Sequence, residues 1–180
     1  MEVIMKHVLV VVDIQNDFVD GALGTAEALA IVENAAKKIR EFEGDIFVTY
    51  DTHFENYLDT AEGAKLPVPH CIRETAGWEL NETIAEALAD RNYTAVEKIT
   101  FGSVELPKLI KEAVGDEDFD ITLIGLCTDI CVVSNALILK ANFPEKQVYV
   151  DASCCAGVTV ATHNAALATM KMCQINVMGE

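Results

Sequence analysis

Six short segments of this chain, most of them apolar nearly throughout, alternate with longer stretches of helical character. "HVLVVVD" (residues 7–13) is apolar without alternation and ends in an acid, and "DIFVTYD" (45–51) repeats the form. "YTAVEK" (93–98) ends in a charged pair, "FDITLIGL" (119–126) in Gly-Leu, and "QVYVDA" (147–152) beside another acid, while "CQINVM" (173–178) closes the chain. Between them, residues 26–42, 80–90, 106–114, 129–141 and 159–172 have helical composition or spacing. A strand covered on both faces loses the polar alternation of a half-exposed strand, and helices between such strands supply the cover. The pattern therefore predicts an α/β fold: three α/β/α layers around a six-stranded, mainly parallel sheet, with right-handed crossovers. The 180 residues contain no repeat, low-complexity tract or long linker, so residues 1–180 are expected to form a single domain.

Open parallel sheets bind ligands beyond the C-terminal ends of their strands. The residues expected there are Asp13, Asp51, Lys98, the turn carrying Cys127 and Cys131, and Asp151. One strand-end acid is as often a turn former or helix cap as a reacting group. The set carries more weight than any member.

"GLCTDICVVSN" (125–135) sets two cysteines four apart where a strand gives way to a helix. With Thr128 or Asp129 as N-cap, Cys131 falls in the first helical turn. Free N–H groups there favour a thiolate and can hold a developing oxyanion. Cys127 precedes the cap. The neighbourhood lacks the further soft ligands a metal clip needs. A lone cysteine is more often a small buried hydrophobe, the reading given to Cys154, Cys155 and Cys173; Cys71 stays undecided. A nucleophilic cysteine needs a base and an electrostatic partner, which Asp13 and Lys98 can supply.

A second constellation lies in "YDTHFENYLDTAEGAKLPVPH" (50–70). Asp51 and His53 are two apart at a strand exit, so extended backbone sends both side chains the same way. His70 follows a proline-rich loop, and Glu62 lies between. Two imidazoles with one or two carboxylates suit a divalent ion, zinc first, manganese or iron(II) as alternatives, with water completing the shell. The competing reading is a surface loop whose histidines bond to backbone. Two of the chain's four histidines in one loop favour the metal.

Composition narrows the partners. The chain is 51% apolar and 23% charged, an ordinary globular balance. Its net charge of -16 argues against nucleic acid or an anionic membrane as partner. No apolar run reaches the ~18 residues of a membrane span. The N-terminal segment does not read as a signal peptide. Six cysteines without one point to a reducing cytoplasm.

Together, "VVVDIQNDFVDGAL", the Asp-Thr-His and Pro-Val-Pro-His segments, "EKITFGSV" and "GLCTDICVVSNAL" resemble the cysteine hydrolases of the isochorismatase-like superfamily over nearly the whole chain. The Asp-x-His with a distal His is most similar to the nicotinamidase (pyrazinamidase) branch. The resemblance implies a catalytic triad of Asp13, Lys98 and Cys131, and metal ligands Asp51, His53 and His70, with Glu62 as a fourth in some members. It implies substrate-flanking aromatics at Phe18 and Phe101. It also implies a cis peptide at Leu126–Cys127 that aims the Cys127 and Cys131 amides into one oxyanion hole. The implied reaction is hydrolysis of nicotinamide to nicotinate and ammonia through a cysteine thioester. The implied partner is a small aromatic amide, and such proteins are often homo-oligomers. The alternatives are another small-amide or carbamoyl amidohydrolase, and an idle binding module on the same fold. Two departures stand out. Leu66 and Val68 occupy the loop where the branch often has an aromatic, and Gly102, Ser103 and Val104 replace its usual Ser-Ala-Phe.

Overall fold

In the computed structural model, which describes residues 5–180, β1 (Met5–Val12) runs down the middle of a sheet with β2 (Asp45–Asp51), β3 (Tyr93–Lys98), β4 (Asp118–Leu126), β5 (Gln147–Ala156) and β6 (Asn176–Met178). The order is β3-β2-β1-β4-β5-β6, and every neighbouring pair is parallel. The helices are α1 (Asn16–Val19), α2 (Ala26–Ala30), α3 (Val32–Glu41), α4 (Ala61–Lys65), α5 (Glu82–Leu88), α6 (Leu106–Val114), α7 (Val133–Asn142) and α8 (Val160–Met172). This is the expected three-layer architecture.

β1 shows why its segment reads as continuously apolar. Val8, Val10 and Val12 enter one core with Leu106, Ile110 and Val114 of α6 and Ala136 and Leu139 of α7. Leu9 and Val11 enter the opposite core with Ala35, Ala36 and Ile39 of α3 and Ile84 of α5. All five β1 residues are fully buried, so neither phase of the strand reaches water.

Four details differ from the expectation. The helical stretch 26–42 is two helices, because the chain bends at Ile31; α3 alone carries the core stripe Val32, Ala35, Ala36 and Ile39. β5 runs on to Ala156, so Asp151 lies inside the strand. There it takes an ion pair from Lys38 at 3.0 Å and a hydrogen bond from the Ser153 hydroxyl at 2.6 Å. Asp151 is thus a structural acid. Cys173 caps α8 and is exposed, whereas Cys154 and Cys155 are buried as expected. α1, α4 and a 3-10 turn at Tyr57–Asp59 were not foreseen; each is too short for periodicity to reveal.

Candidate active site

The C-terminal ends of β1, β2, β3 and β4 deliver their side chains to one place. β1 stops at Val12, and Asp13 turns away with φ 48°. β3 ends in Lys98, paired in register with Asp51 at the end of β2. At the end of β4, Gly125 has φ +123°, and a Cβ there would lie 2.1 Å from the Val12 carbonyl oxygen. Only glycine lets β4 approach β1 this closely. The Leu126–Cys127 peptide that follows is cis.

Asp13, Lys98 and Cys131 are in mutual reach and buried. Lys98 Nζ lies 2.6 Å from Asp13 Oδ2 and 3.5 Å from Cys131 Sγ. Asp13 Oδ1 accepts a 2.6 Å hydrogen bond from the Thr49 hydroxyl. Asp13 Oδ2, although beside the ammonium, accepts no well-directed hydrogen bond. A buried carboxylate oxygen with a spare lone pair is a proton acceptor in waiting.

The electrostatics divide these roles. Burial works against the Lys98 charge, but Asp13, Cys131 and Asp51 outweigh it and hold the ammonium firmly protonated. Burial raises Asp13 above the usual carboxylate range, Lys98 opposes this, and Asp51 adds to it. Burial also pushes the Cys131 thiol well up, Asp13 adds, and Lys98 opposes. The expectation of a low-pKa thiolate at a helix start is therefore corrected. Burial and two nearby carboxylates outweigh Lys98, and Cys131 rests as a neutral thiol.

The local structure around Cys131 differs from the expected cap as well. Residues Thr128–Val132 form one wide π-turn ahead of α7, and the N-cap is Cys127, with no side-chain cap. The Thr128 hydroxyl pairs with His163 Nδ1 at 2.8 Å, and the Asp129 carboxylate accepts the Val158 N–H at 3.1 Å. Both candidate caps are thus drawn to the loop after β5 and to α8. The Cys127 carbonyl accepts from both Ile130 and Val132. Among the described residues, the Cys127 N–H has no acceptor in the turns and loops. Burial, with help from Asp129 and Asp13, pushes the Cys127 thiol up to about 12.

The Asp/His constellation sits beside the triad. Asp51 Oδ2 lies 3.0 Å from His53 Nε2 and 3.6 Å from His70 Nε2. Glu62 Oε1 is 3.7 Å from both Nε2 atoms. One ligand atom each from Asp51, His53 and His70 falls within 4.8 Å of the others, and all three residues are buried. His70 Nδ1 pairs with the Val68 carbonyl at 2.8 Å. That bond occupies Nδ1 and aims Nε2 at the cluster, the way a backbone carbonyl orients a metal-binding imidazole. Burial alone would raise Asp51; hydrogen bonds from His53 and His70 and the Lys98 charge outweigh it and hold the carboxyl below its usual range. The donor set fits a divalent metal. Asp51 also links the two constellations, since its other oxygen faces Lys98 Nζ at 3.4 Å.

A cavity of about 740 Å³ opens onto both groups and is lined by Phe18, Asp51, His70, Phe101, Cys127 and Cys131 among others. Phe18 packs edge-on against His70 at 5.5 Å, and Phe101 is 46% exposed at the cavity wall.

Four supporting residues escaped the sequence reading. Gln15, fully buried, donates to the Asp51 carbonyl at 2.9 Å and the Trp78 carbonyl at 2.7 Å, and accepts the Asp51 N–H at 2.8 Å. Asn135 donates to the Cys131 carbonyl at 2.8 Å and accepts the Ser103 N–H at 2.9 Å. Thr49 orients Asp13, and Tyr57 packs edge-on against both His53 and His70 while donating to the Leu66 carbonyl at 2.9 Å. An amide side chain inside an apolar segment was the available signal for Asn135. Replacing Gln15 with leucine strands both backbone groups of Asp51. It is expected to cost about 2–4 kcal/mol of stability and roughly 10–100-fold in metal affinity, measured by thermal melting and zinc titration.

A buried cysteine, lysine and carboxylate at the mouth of a parallel sheet, beside an Asp/His cluster, define a hydrolase-type site. The family model for the isochorismatase domain matches residues 7–179, and the chain belongs to that family. At family level its activity is that of an amidohydrolase. A nicotinamidase/pyrazinamidase of Mycobacterium tuberculosis is 26% identical, over 94% of this chain and 97% of the relative. An uncharacterised isochorismatase family protein of Bacillus subtilis is 31% identical over 74% of this chain and 78% of its own length. Among solved structures, a Bacillus subtilis nicotinamidase/pyrazinamidase superposes with TM-score 0.82 at 25% identity, covering 96% of this chain and 99% of its own. A zinc complex of the Pyrococcus horikoshii pyrazinamidase gives TM-score 0.79 at 25% identity, covering 97% and 99%.

Proposed function

We propose that this protein hydrolyses nicotinamide to nicotinate and ammonia through a thioester on Cys131. The observation that carries the reading is the juxtaposition of Asp13, Lys98 and Cys131 with Asp51, His53 and His70 in one cavity. Cys131 attacks the carboxamide carbon as Asp13 Oδ2 takes the thiol proton. Asp13 then gives that proton to the departing ammonia. Lys98 stays charged throughout and balances the negative charge of the thiolate and of Asp13. The Cys127 and Cys131 N–H groups receive the oxyanion, an interaction worth about 3–4 kcal/mol per donor. Asp13 next activates water to open the thioester. Phe18 and Phe101 flank the ring. Asp51, His53 and His70, with Glu62 as a further ligand, would hold a divalent ion, zinc as the first choice, which would supply a handle for the pyridine nitrogen, directly or through water. A carbamoyl amidase on the same triad has no use for that handle.

Incubation with nicotinamide, pyrazinamide and carbamoyl compounds, read out as ammonia, tests the reading. Release from the two ring amides alone supports it; release from carbamoyl compounds alone overturns it.

Asp13 must be ionised to take the thiol proton, and its pKa lies above the ordinary carboxylate value. The acid limb of kcat/KM is therefore expected above the pH of an exposed aspartate: activity is lost as pH falls through the raised pKa. The Thr49 hydrogen bond favours the ionised form. Thr49→Val removes it, so the same limb is expected to move to higher pH in the pH profile, and a shift to lower pH contradicts the assignment.

A further inference from the structure

The cavity is built in two zones. Its floor is buried and polar: Asp51, His53, His70 and Cys131. Its mouth is exposed and apolar. Phe54 (51% exposed), Leu66 (38%), Ile99 (68%) and Phe101 (46%) all line it. They face the opening from two sides, Phe54 and Leu66 from the segment that also carries α4, Ile99 and Phe101 from the loop after β3. The charged lining groups outside the floor, Glu62 and Lys65, both lie on α4, whereas the wall of residues 99–101 has no charged side chain. Each wall is anchored: Tyr57 donates to the Leu66 carbonyl, and Asn135 donates to the Phe101 carbonyl at 3.3 Å. Anchored walls give a preformed apolar funnel.

Its size does not match a one-ring amide. At about 740 Å³ the cavity falls among the ~300–1,000 Å³ pockets that hold drug-sized ligands. A single pyridinecarboxamide bound over the floor leaves the mouth filled with water against exposed apolar side chains, an unfavourable arrangement that an apolar arm on the substrate would relieve.

We propose that the preferred substrate is an extended aromatic carboxamide, in which the ring and reacting carbonyl sit on the floor and an apolar arm lies along Ile99 and Phe101 toward Phe54 and Leu66. This rests on the amidase reading above and narrows its substrate class. The reaction balances as before: water adds across the C–N bond, the acid leaves with the new hydroxyl, and the amine, bearing the arm or not, leaves with the proton.

The test compares kcat/KM for two series of pyridine-3-carboxamides, one alkylated on the amide nitrogen and one on a ring carbon, methyl to butyl. In one series kcat/KM is expected to rise about fourfold per added methylene. The series that rises shows whether the arm belongs to the leaving amine or to the acyl part. The substitutions Ile99→Ser and Phe54→Ser, at exposed positions outside the floor, are expected to flatten that rise. A flat or falling response in both series, with the parent amide still hydrolysed, overturns the proposal and leaves the amidase reading standing. Hydrolysis of neither parent nor derivatives overturns both. Sedimentation equilibrium supplies the remaining arm. A multimer that falls to a single chain in Ile99→Ser, with the chain-length response unaltered, assigns the funnel rim to a second copy and overturns the substrate assignment.

Discussion

Cys131→Ala is expected to abolish amide hydrolysis, with kcat/KM falling on the order of 10⁴-fold or more, while Cys127→Ala keeps most of the activity. The two thiols are four residues apart and both line the cavity, so sequence distance does not separate them. Their partners do. Cys131 Sγ is 3.5 Å from Lys98 Nζ, and Lys98 Nζ is 2.6 Å from Asp13. The Cys127 thiol makes no hydrogen bond among the described residues, and burial with nearby carboxylates holds it protonated up to about 12. What Cys127 offers the reaction is its backbone N–H, and alanine keeps that. Mass spectrometry of enzyme quenched during turnover is expected to find the acyl group on the peptide carrying Cys131. Equal losses in the two variants would instead make the pair a functional unit and remove the nucleophile assignment.

His70→Ala is expected to abolish stable metal binding and lower kcat/KM by about 100-fold or more. Losing a ligand should exceed the roughly 10–100-fold cost of losing a group that only orients a ligand. His70 is chosen because it does not touch the triad, whereas Asp51 also faces Lys98. Calorimetric titration of the metal-free protein with zinc reads the effect without reference to activity. The wild-type Tm is expected to rise with added zinc, as binding to the folded state alone requires, and the Tm of His70→Ala to stay put. Tight zinc binding by the variant, or a wild type whose Tm ignores zinc, would sink the ligand set. Chelation of the wild type should lower activity and leave Cys131 alkylation by iodoacetamide intact, separating metal from nucleophile.

The sequence exposed the sheet because its physics is local. A strand sealed on both faces must be apolar at successive positions, and Val8 to Val12 meet two different cores. Strand-end groups were legible for the same reason, since the end of an apolar run is visible in one dimension. Asp151 shows the limit: its apolar run paused at the acid, but β5 continued to Ala156, and the acid became a partner for Lys38. The cap at Thr128 or Asp129 failed similarly. Both are good capping residues, yet His163 and Val158, distant in sequence, compete for them and win. Gln15 was invisible as a site residue because its value lies in two backbone groups 36 positions away and in the Trp78 carbonyl.

The sequence alone determined the architecture, the strand ends that carry chemistry, and the residue types able to act there, because burial pattern and chain direction are set by neighbours in the chain. Only the tertiary structure decided the protonation states and the geometry. The neutral Cys131 thiol, the charged Lys98 and the raised Asp13 follow from bringing four strand ends into one buried site. The orientation of His70 Nε2 toward the cluster follows from the carbonyl that holds its other nitrogen. Desolvation and Coulomb energy depend on distances through space, and those exist only once the chain has folded.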